Sequence, residues 1–306
     1  MAWFTFLISG TLLAATPLLI AALGEVIVEK SGVLNLSIEG MMSVGAVVAF
    51  IVVLYSGSHW LALVAGGMAA LALSVIFAFV VLLALGNQVV SGLAVGLFGI
   101  GVAGLVGKPY ENMTVAPMQR IDVPLLSDIP VLGPGLFHHP LPVYLAPLLA
   151  VLLWWMLKYS KVGLVLRAVG ESPESANAVG YNVVGVRFLA IIFGGFLAGV
   201  AGAFICIASS TLWADGMIAG RGWIVIALVM FAMWRVERVI IGAYLFGAAS
   251  IGELLVQSAG ISVPSQLMTS IPYIVTIVAV SILSMDGKRV RLNAPVSLGR
   301  VYLGTH

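Results

Sequence analysis

The 306 residues are 61% hydrophobic and 8% charged with a net charge of +2, and the mean hydropathy is +1.16. Soluble domains carry about 25% charged residues, so an ordinary water-soluble globule is excluded, and nothing in this charge balance supports nucleic-acid binding. From Met41 to Gly107 there is no Asp, Glu, Lys or Arg, a run that belongs in lipid.

Crossing a hydrocarbon core of ~30 Å takes about 20 helical residues. On that ruler the chain predicts an all-α, polytopic transmembrane helix bundle. Its spans fall near 3–24, 38–55, 60–85, 89–107, 141–158, 187–209, 222–235, 238–258 and 266–284, nine in all, within a range of 8–10. The long apolar runs do not alternate, which favours helices over a barrel. The first run starts at Ala2 without a basic segment before it or a small-residue cleavage site after it, so it reads as a permanent span and not a signal peptide. Cys206 is the only cysteine, which excludes an intrachain disulfide and a cysteine-based metal site.

Basic residues set the orientation. Lys158, Lys161, Arg167 and Arg187 cluster in one loop, Arg235 and Arg238 flank a tight turn, and Lys288, Arg289, Arg291 and Arg300 lie in the tail. Counting spans puts all three groups on one side. The expected organisation is a single transmembrane domain over 1–306, with a cytoplasmic segment at 159–186, an external loop at 108–140 and a cytoplasmic tail at 285–306. The 108–140 segment carries six prolines and reads as an irregular loop. Its His138–His139 pair has no obvious partner carboxylate, so no metal is expected.

Between the first two spans lies GEVIVEKSGVLNLSIEGMM, residues 24–42, holding Glu25, Glu29, Lys30, Asn35 and Glu39. Two readings stand: a solvated turn, or a broken segment that lines a pathway or packs on a gate. Irregular backbone at membrane depth is tolerated only under protein or beside a water-filled cavity. Glu29, Asn35 and Glu39 are therefore candidate pathway or gate residues. Asn87, Gln88 and Ser91, which open span 89–107, join them.

The most informative stretch is RAVGESPESANAVGYNVVGVR, residues 167–187, a polar and helix-prone island. Ser172 suits a helix N-cap and Pro173 the first helical position; Gly180 suits the stop. A simple connection needs no capped helix, so docking of a partner is the preferred reading. Further on, Ala214 to Ala227 is Gly-interrupted and leads into an unusually short span, the usual pointer to a pathway in transporters. Asp215 and Arg221 either pair there or sit among lipid headgroups. Glu253 lies inside span 238–258 with Gln257 one turn on, and an ionisable group within a span is a functional candidate by default.

No phosphate-binding loop, dinucleotide loop, zinc-protease helix or nucleophile elbow is present. The chain is not expected to be an enzyme or to hydrolyse ATP. Energy for pumping would come from a partner. A secondary transporter or channel is the competing reading, and Glu253 is its one mid-span ionisable candidate.

Residues 24–42, 167–187 and 220–242 (GRGWIVIALVMFAMWRVERVIIG) together resemble the permease subunits of bacterial ATP-binding-cassette (ABC) importers. The resemblance is to the ribose, simple-sugar and nucleoside branch, and SGVLNLSIEGMM looks closest to the nucleoside type. It covers nearly the whole chain in the same order, although Trp234-Arg235-Val236-Glu237-Arg238 departs from the commoner turn of that branch.

That resemblance implies a permease in a bacterial inner (cytoplasmic) membrane, C-terminus in the cytoplasm, translocating a small polar solute such as a nucleoside, purine or simple sugar. It implies three partners: a cytoplasmic ABC ATPase, a second permease subunit (homologous or identical), and a periplasmic or lipid-anchored substrate-binding protein. ATP and magnesium would be bound by the ATPase, leaving this chain without a cofactor. It also implies that the island is the coupling segment, with Arg167, Gly170, Glu171, Pro173, Glu174, Ala176 and Gly180 as its ATPase-coupling residues.

Overall fold

A computed structural model of the chain describes residues 2–122, 132–258, 270, 273–275, 277–278, 281–282 and 294–304. In order, the helices are α1 (Ala2–Lys30), α2 (Ile38–Ser56), α3 (His59–Ala78), α4 (Gln88–Gly107), α5 (Leu132–Leu136), α6 (Leu141–Tyr159), α7 (Lys161–Glu171), α8 (Pro173–Ala178), α9 (Val183–Phe204), α10 (Arg221–Phe231) and α11 (Val236–Ser258). Strands β1 (Ile121–Asp122) and β2 (His138–His139) pair antiparallel between α4 and α6. The bundle is helical, and among the described residues seven helices are long and apolar enough to span a membrane.

That differs from nine spans in two places. At 11 residues, α10 extends only about 16 Å, roughly half of a hydrocarbon core. The expected span 266–284 lies largely outside the described residues, as does much of the 285–306 tail. The first span also runs further than expected: α1 continues through Glu25 and Glu29 to Lys30.

Helices α1, α2, α3 and α9 form the centre, with α11 along α1 and α4 along α2. Small residues let the central backbones touch. A β-carbon at Gly45 would stand 2.4 Å from Gly199 O, one at Gly199 2.4 Å from Gly66 O, and one at Gly202 1.9 Å from Met42 O. No side chain fits there. This is how helices associate in lipid, where close packing replaces hydrophobic driving force. Leu61, Phe79, Leu97, Leu148, Trp155 and Leu189 point outward, the surface a bilayer would cover.

The ends of the bundle are distinct. At one, Tyr55 meets the Tyr110 ring edge-on at 6.4 Å and His59 Nε2 lies 2.8 Å from Ala116 O, so the segment after α4 folds back over the α2–α3 turn. The β pair belongs here, where Asp122 and His138 pair. His138 therefore has the carboxylate partner not evident from its neighbours in sequence. Among the described residues there is still no cluster of three metal-ligating side chains. The opposite end carries α7 and α8.

Candidate functional site

Two irregular segments enter the bundle from opposite ends. The first, 31–37, leaves α1 at the α8 end with Ser31, Gly32, Val33, Asn35 and Ser37 all buried, which excludes the solvated-turn reading. It climbs beside α4: Leu36 packs on Gly92 and Ser37 on Gly96. The second, 211–220, begins at the opposite end, where Val115 N–H donates to Thr211 O at 3.0 Å. It descends along α4 with Trp213 against Gly107 and Asp215 beside Gly104.

The segments meet at Glu39. Gly220, in a left-handed conformation at φ 83°, caps α10, and its N–H donates to Glu39 Oε1 at 2.8 Å. A β-carbon at Gly222 would fall 2.6 Å from Glu39 Cα, so only glycine fits. Glu39 sits in the first turn of α2 and Gly220 precedes the first turn of α10. The N-cap of α10, with the positive end of that helix's dipole behind it, thus donates to a carboxylate carried by the first turn of α2. The short span and the broken segment are two halves of one junction.

Glu39 is 8% exposed, and its Oε2 has no hydrogen-bond partner among the described residues. It borders a cavity of about 50 Å³ shared with Ser43, Trp213, Asp215 and Met217. Trp213 is 2% exposed, and its indole N–H is unpartnered as well.

Below the junction, buried polar groups tie the broken segment to its surroundings. Asn35 Nδ2 donates to Glu25 Oε2 at 3.1 Å, while its carbonyl accepts from Ser37 N–H at 3.1 Å. Gln88 accepts from Leu34 N–H at 2.8 Å and donates to Arg300 O at 3.1 Å. Glu29 accepts from the indole of Trp234, which reaches it from a turn where Met233 and Trp234 both have left-handed φ, 55° and 54°. Non-glycine residues adopt that conformation at a cost of about 1–2 kcal/mol each, so the turn is held by what it places.

Of the other candidates, Ser91 is buried beside Gly86 at the start of α4. Asn87 is an exposed cap whose Oδ1 accepts from Val89 and Val90 N–H at 3.0 and 3.1 Å. It orders α4 and does not face the junction. Glu253 lies half-exposed near the end of α11, accepting from Gln257 at 3.1 Å, and does not join the junction cluster. Asp215 and Arg221 do not pair: Asp215 accepts from Gly216 N–H at 3.0 Å and Arg221 donates to Met217 O at 3.4 Å.

The island is two helices, not one. Ser160 caps α7, accepting from Gly163 N–H at 3.0 Å; Ser172 caps α8, accepting from Ser175 N–H at 3.3 Å, with Pro173 in the first position. Gly180, at φ 94°, stops it, and Tyr181 N–H closes back on Ala176 O at 3.1 Å. Arg167, Glu171, Glu174 and Gly180 are exposed, and Val179 is 77% exposed. Gly170, Pro173 and Ala176 are buried instead. Ala176 packs with Val169 and Val183, so these three seat the island and do not present it.

Sequence reasoning missed how the island is anchored. A β-carbon on Gly170 would stand 2.1 Å from Lys30 O, so α7 rests directly on the end of α1. Ser297, from the C-terminal segment, donates through its N–H (3.0 Å) and Oγ (2.6 Å) to Gly170 O. Arg187, 1% exposed, donates to Ser31 O at 3.1 Å and Ser297 Oγ at 3.0 Å, with Tyr302 stacked at 5.9 Å. Its sequence signal was weak, because Arg187 reads equally well as a topology-setting charge.

A multi-pass helical membrane domain with a broken helix, a half-span and an anchored polar island belongs to the transport permeases. The chain is a member of the family described as branched-chain amino acid transport system / permease component, whose model matches residues 7–280. It is similar to the putative glucose ABC transporter permease protein TsgC13 of Haloferax volcanii, 38% identical with 97% of each chain covered. It is also similar to the guanosine ABC transporter permease protein NupQ of Bacillus subtilis, 31% identical over 98% of this chain and 97% of that one. The nucleoside ABC transporter permease protein NupC of Lactococcus lactis is 31% identical, over 90% and 91%. No solved structure matches. The chain is an ABC transporter permease, a transport subunit.

Proposed function

We propose that this permease works in the import direction, carrying a nucleoside or simple sugar across a cytoplasmic membrane. Relatives named for glucose, guanosine and nucleoside support the solute class. In this reading α7 and α8 face the cytoplasm with the C-terminal segment, and Tyr110, β1 and β2 face outward. The basic residues around the island and in the tail support that orientation.

A separate ABC ATPase, binding ATP and magnesium, docks on the exposed edge formed by Arg167, Glu171, Glu174 and Gly180. A second permease subunit completes the translocation unit, and a binding protein delivers solute to the outer loops. The observation that carries the reading is the seat of Gly170 on Lys30 O. A push on the exposed edge passes through that contact into 31–37, and from there through Glu39 to Gly220 and α10. Island and junction are thus one mechanical train, suited to alternating access.

The test is purification of the tagged protein in mild detergent together with ATP-dependent uptake in proteoliposomes. An ATPase and a permease in the preparation, with uptake that requires ATP, are the expected results. Uptake abolished by a proton ionophore while ATP is maintained would overturn it in favour of a secondary transporter.

A further inference from the structure

We propose that the groove bounded by α6, α7 and α9 holds one anionic phospholipid of the cytoplasmic leaflet, with an acyl chain in the groove and the phosphate at Lys161. The orientation is that of the transport reading above, and the lipid site goes beyond it. The groove encloses about 660 Å³, within the roughly 300–1,000 Å³ of pockets that hold small molecules. Met156 of α6, Leu166 of α7 and Phe193 of α9 typify its apolar walls, and Lys161 and Tyr181 are its polar residues. A second apolar hollow of about 400 Å³ continues along α6, sharing Leu149 and Leu152 with the first.

Depth, charge and wall shape select the occupant. Lys158 Nζ stands 5.0 Å from the Trp154 ring and 5.2 Å from the Tyr159 ring, and Trp155 and Tyr159 are exposed on the same end of α6. Trp, Tyr and Lys at a helix end mark headgroup level. Lys161, the first residue of α7, opens the groove at that level. Inward from there, α6 rises about 16 Å between Met156 and Leu145 of the second hollow, one leaflet's share of a ~30 Å core.

Lys161 is exposed and makes no ion pair among the described residues. Glu171, at the far end of the same helix, is about 15 Å away. A lysine at the cytoplasmic surface attracts anionic headgroups, and the Tyr181 hydroxyl supplies a further donor to a phosphate. The walls exclude a packed helix. Where helices of this bundle meet closely, Gly45, Gly66 and Gly199 let backbones touch; the groove presents long, flexible side chains instead. A flexible acyl chain fills such a surface. The island then has two supports: Gly170 rests on Lys30 O at one end of α7, and Leu166 covers the lipid nearer the other.

The experiment is native mass spectrometry of the detergent-purified permease with added phosphatidylglycerol or phosphatidylcholine. It needs neither ATPase nor solute, so its failure is distinct from failure of the transport reading. Wild type is expected to bind one phosphatidylglycerol in preference to phosphatidylcholine. Lys161→Gln is expected to weaken phosphatidylglycerol binding about fivefold, one lysine's share of the attraction to an anionic headgroup, and to leave phosphatidylcholine unchanged. Leu152→Trp, at a position 56% exposed and so safe for folding, is expected to fill the groove and weaken binding of both. Equal binding of the two lipids by wild type, or unchanged binding by either variant, overturns the site. Cys206 is buried, so Leu152→Cys places the one accessible thiol among the described residues in the groove. Cross-linking of that variant to a second copy of the chain would make the groove a subunit interface and overturn the lipid assignment.

Discussion

Arg187 NH2 donates to Ser297 Oγ across 3.0 Å, although 110 residues separate them. The bond closes a ring: Ser297 holds Gly170 O, Gly170 rests on Lys30 O, and Arg187 reaches back to Ser31 O. The island, the end of α1 and the C-terminal segment are therefore tied to one another. A buried guanidinium is tolerated because each contact satisfies part of its donor fork.

Ser297→Ala is expected to destabilise the fold by about 1–3 kcal/mol, since it strips a partner from a buried charge. Arg187→Lys is expected to cost at least as much, because an ammonium does not reproduce the fork that spans Ser31 and Ser297. Thermal melting in detergent checks both. Unchanged melting temperatures would mean the ring does not hold the island.

Gly170→Ala places a methyl group where the Lys30 carbonyl already stands, a backbone atom that cannot swing aside. The expected result is an overpacking penalty of about 1–3 kcal/mol and a displaced island with little transport. Gly180 is the contrasting case, with φ 94° and nothing within 4 Å of its missing β-carbon. Gly180→Val is expected to weaken stimulation of the ATPase through backbone strain alone, and Gly180→Asn to weaken it less. ATPase assays on the assembled complex rank the three; equal behaviour of Val and Asn would remove the strain explanation.

Glu171 and Glu174 lie exposed on the edge assigned to the ATPase. Glu171→Lys combined with Glu174→Lys is expected to abolish uptake and ATPase co-purification, while membrane insertion stays normal because neither side chain is buried. Normal uptake by the double variant would place docking elsewhere on the surface.

Much of this was legible in residue order. Local rules sufficed for the long apolar helices and for the Ser172, Pro173 and Gly180 signals, because each acts within one helical turn. The short span after Gly220 and the polar 24–42 segment were visible as anomalies. Their meeting at Glu39 and Gly220 was not, because 181 residues separate the pair. Hydropathy also divides the chain by charge, so it ended the first span at Glu25. The helix continues because Asn35 and Trp234, distant in sequence or across a break, supply the partners that let Glu25 and Glu29 stay buried. Gly170, Pro173 and Ala176 show the same limit: a polar island reads as exposed throughout, and only packing reveals which of its small residues face inward.

Trp234 gives the sharpest test of that packing. Its indole N–H donates to one carboxylate oxygen of buried Glu29, whose other oxygen has no partner among the described residues. Trp234→Phe keeps the ring but removes the donor, leaving the carboxylate unsatisfied, and is expected to cost about 1–3 kcal/mol or more. Glu29→Gln keeps an acceptor for the indole and nearly the same volume, and is expected to be tolerated far better. In the Trp234→Phe background, Glu29→Gln should recover part of the lost melting temperature, because a neutral amide is cheaper to bury unpaired than a carboxylate. If both single variants melt alike and the double variant recovers nothing, the pair is not coupled, and the left-handed turn at Met233 and Trp234 serves some other contact.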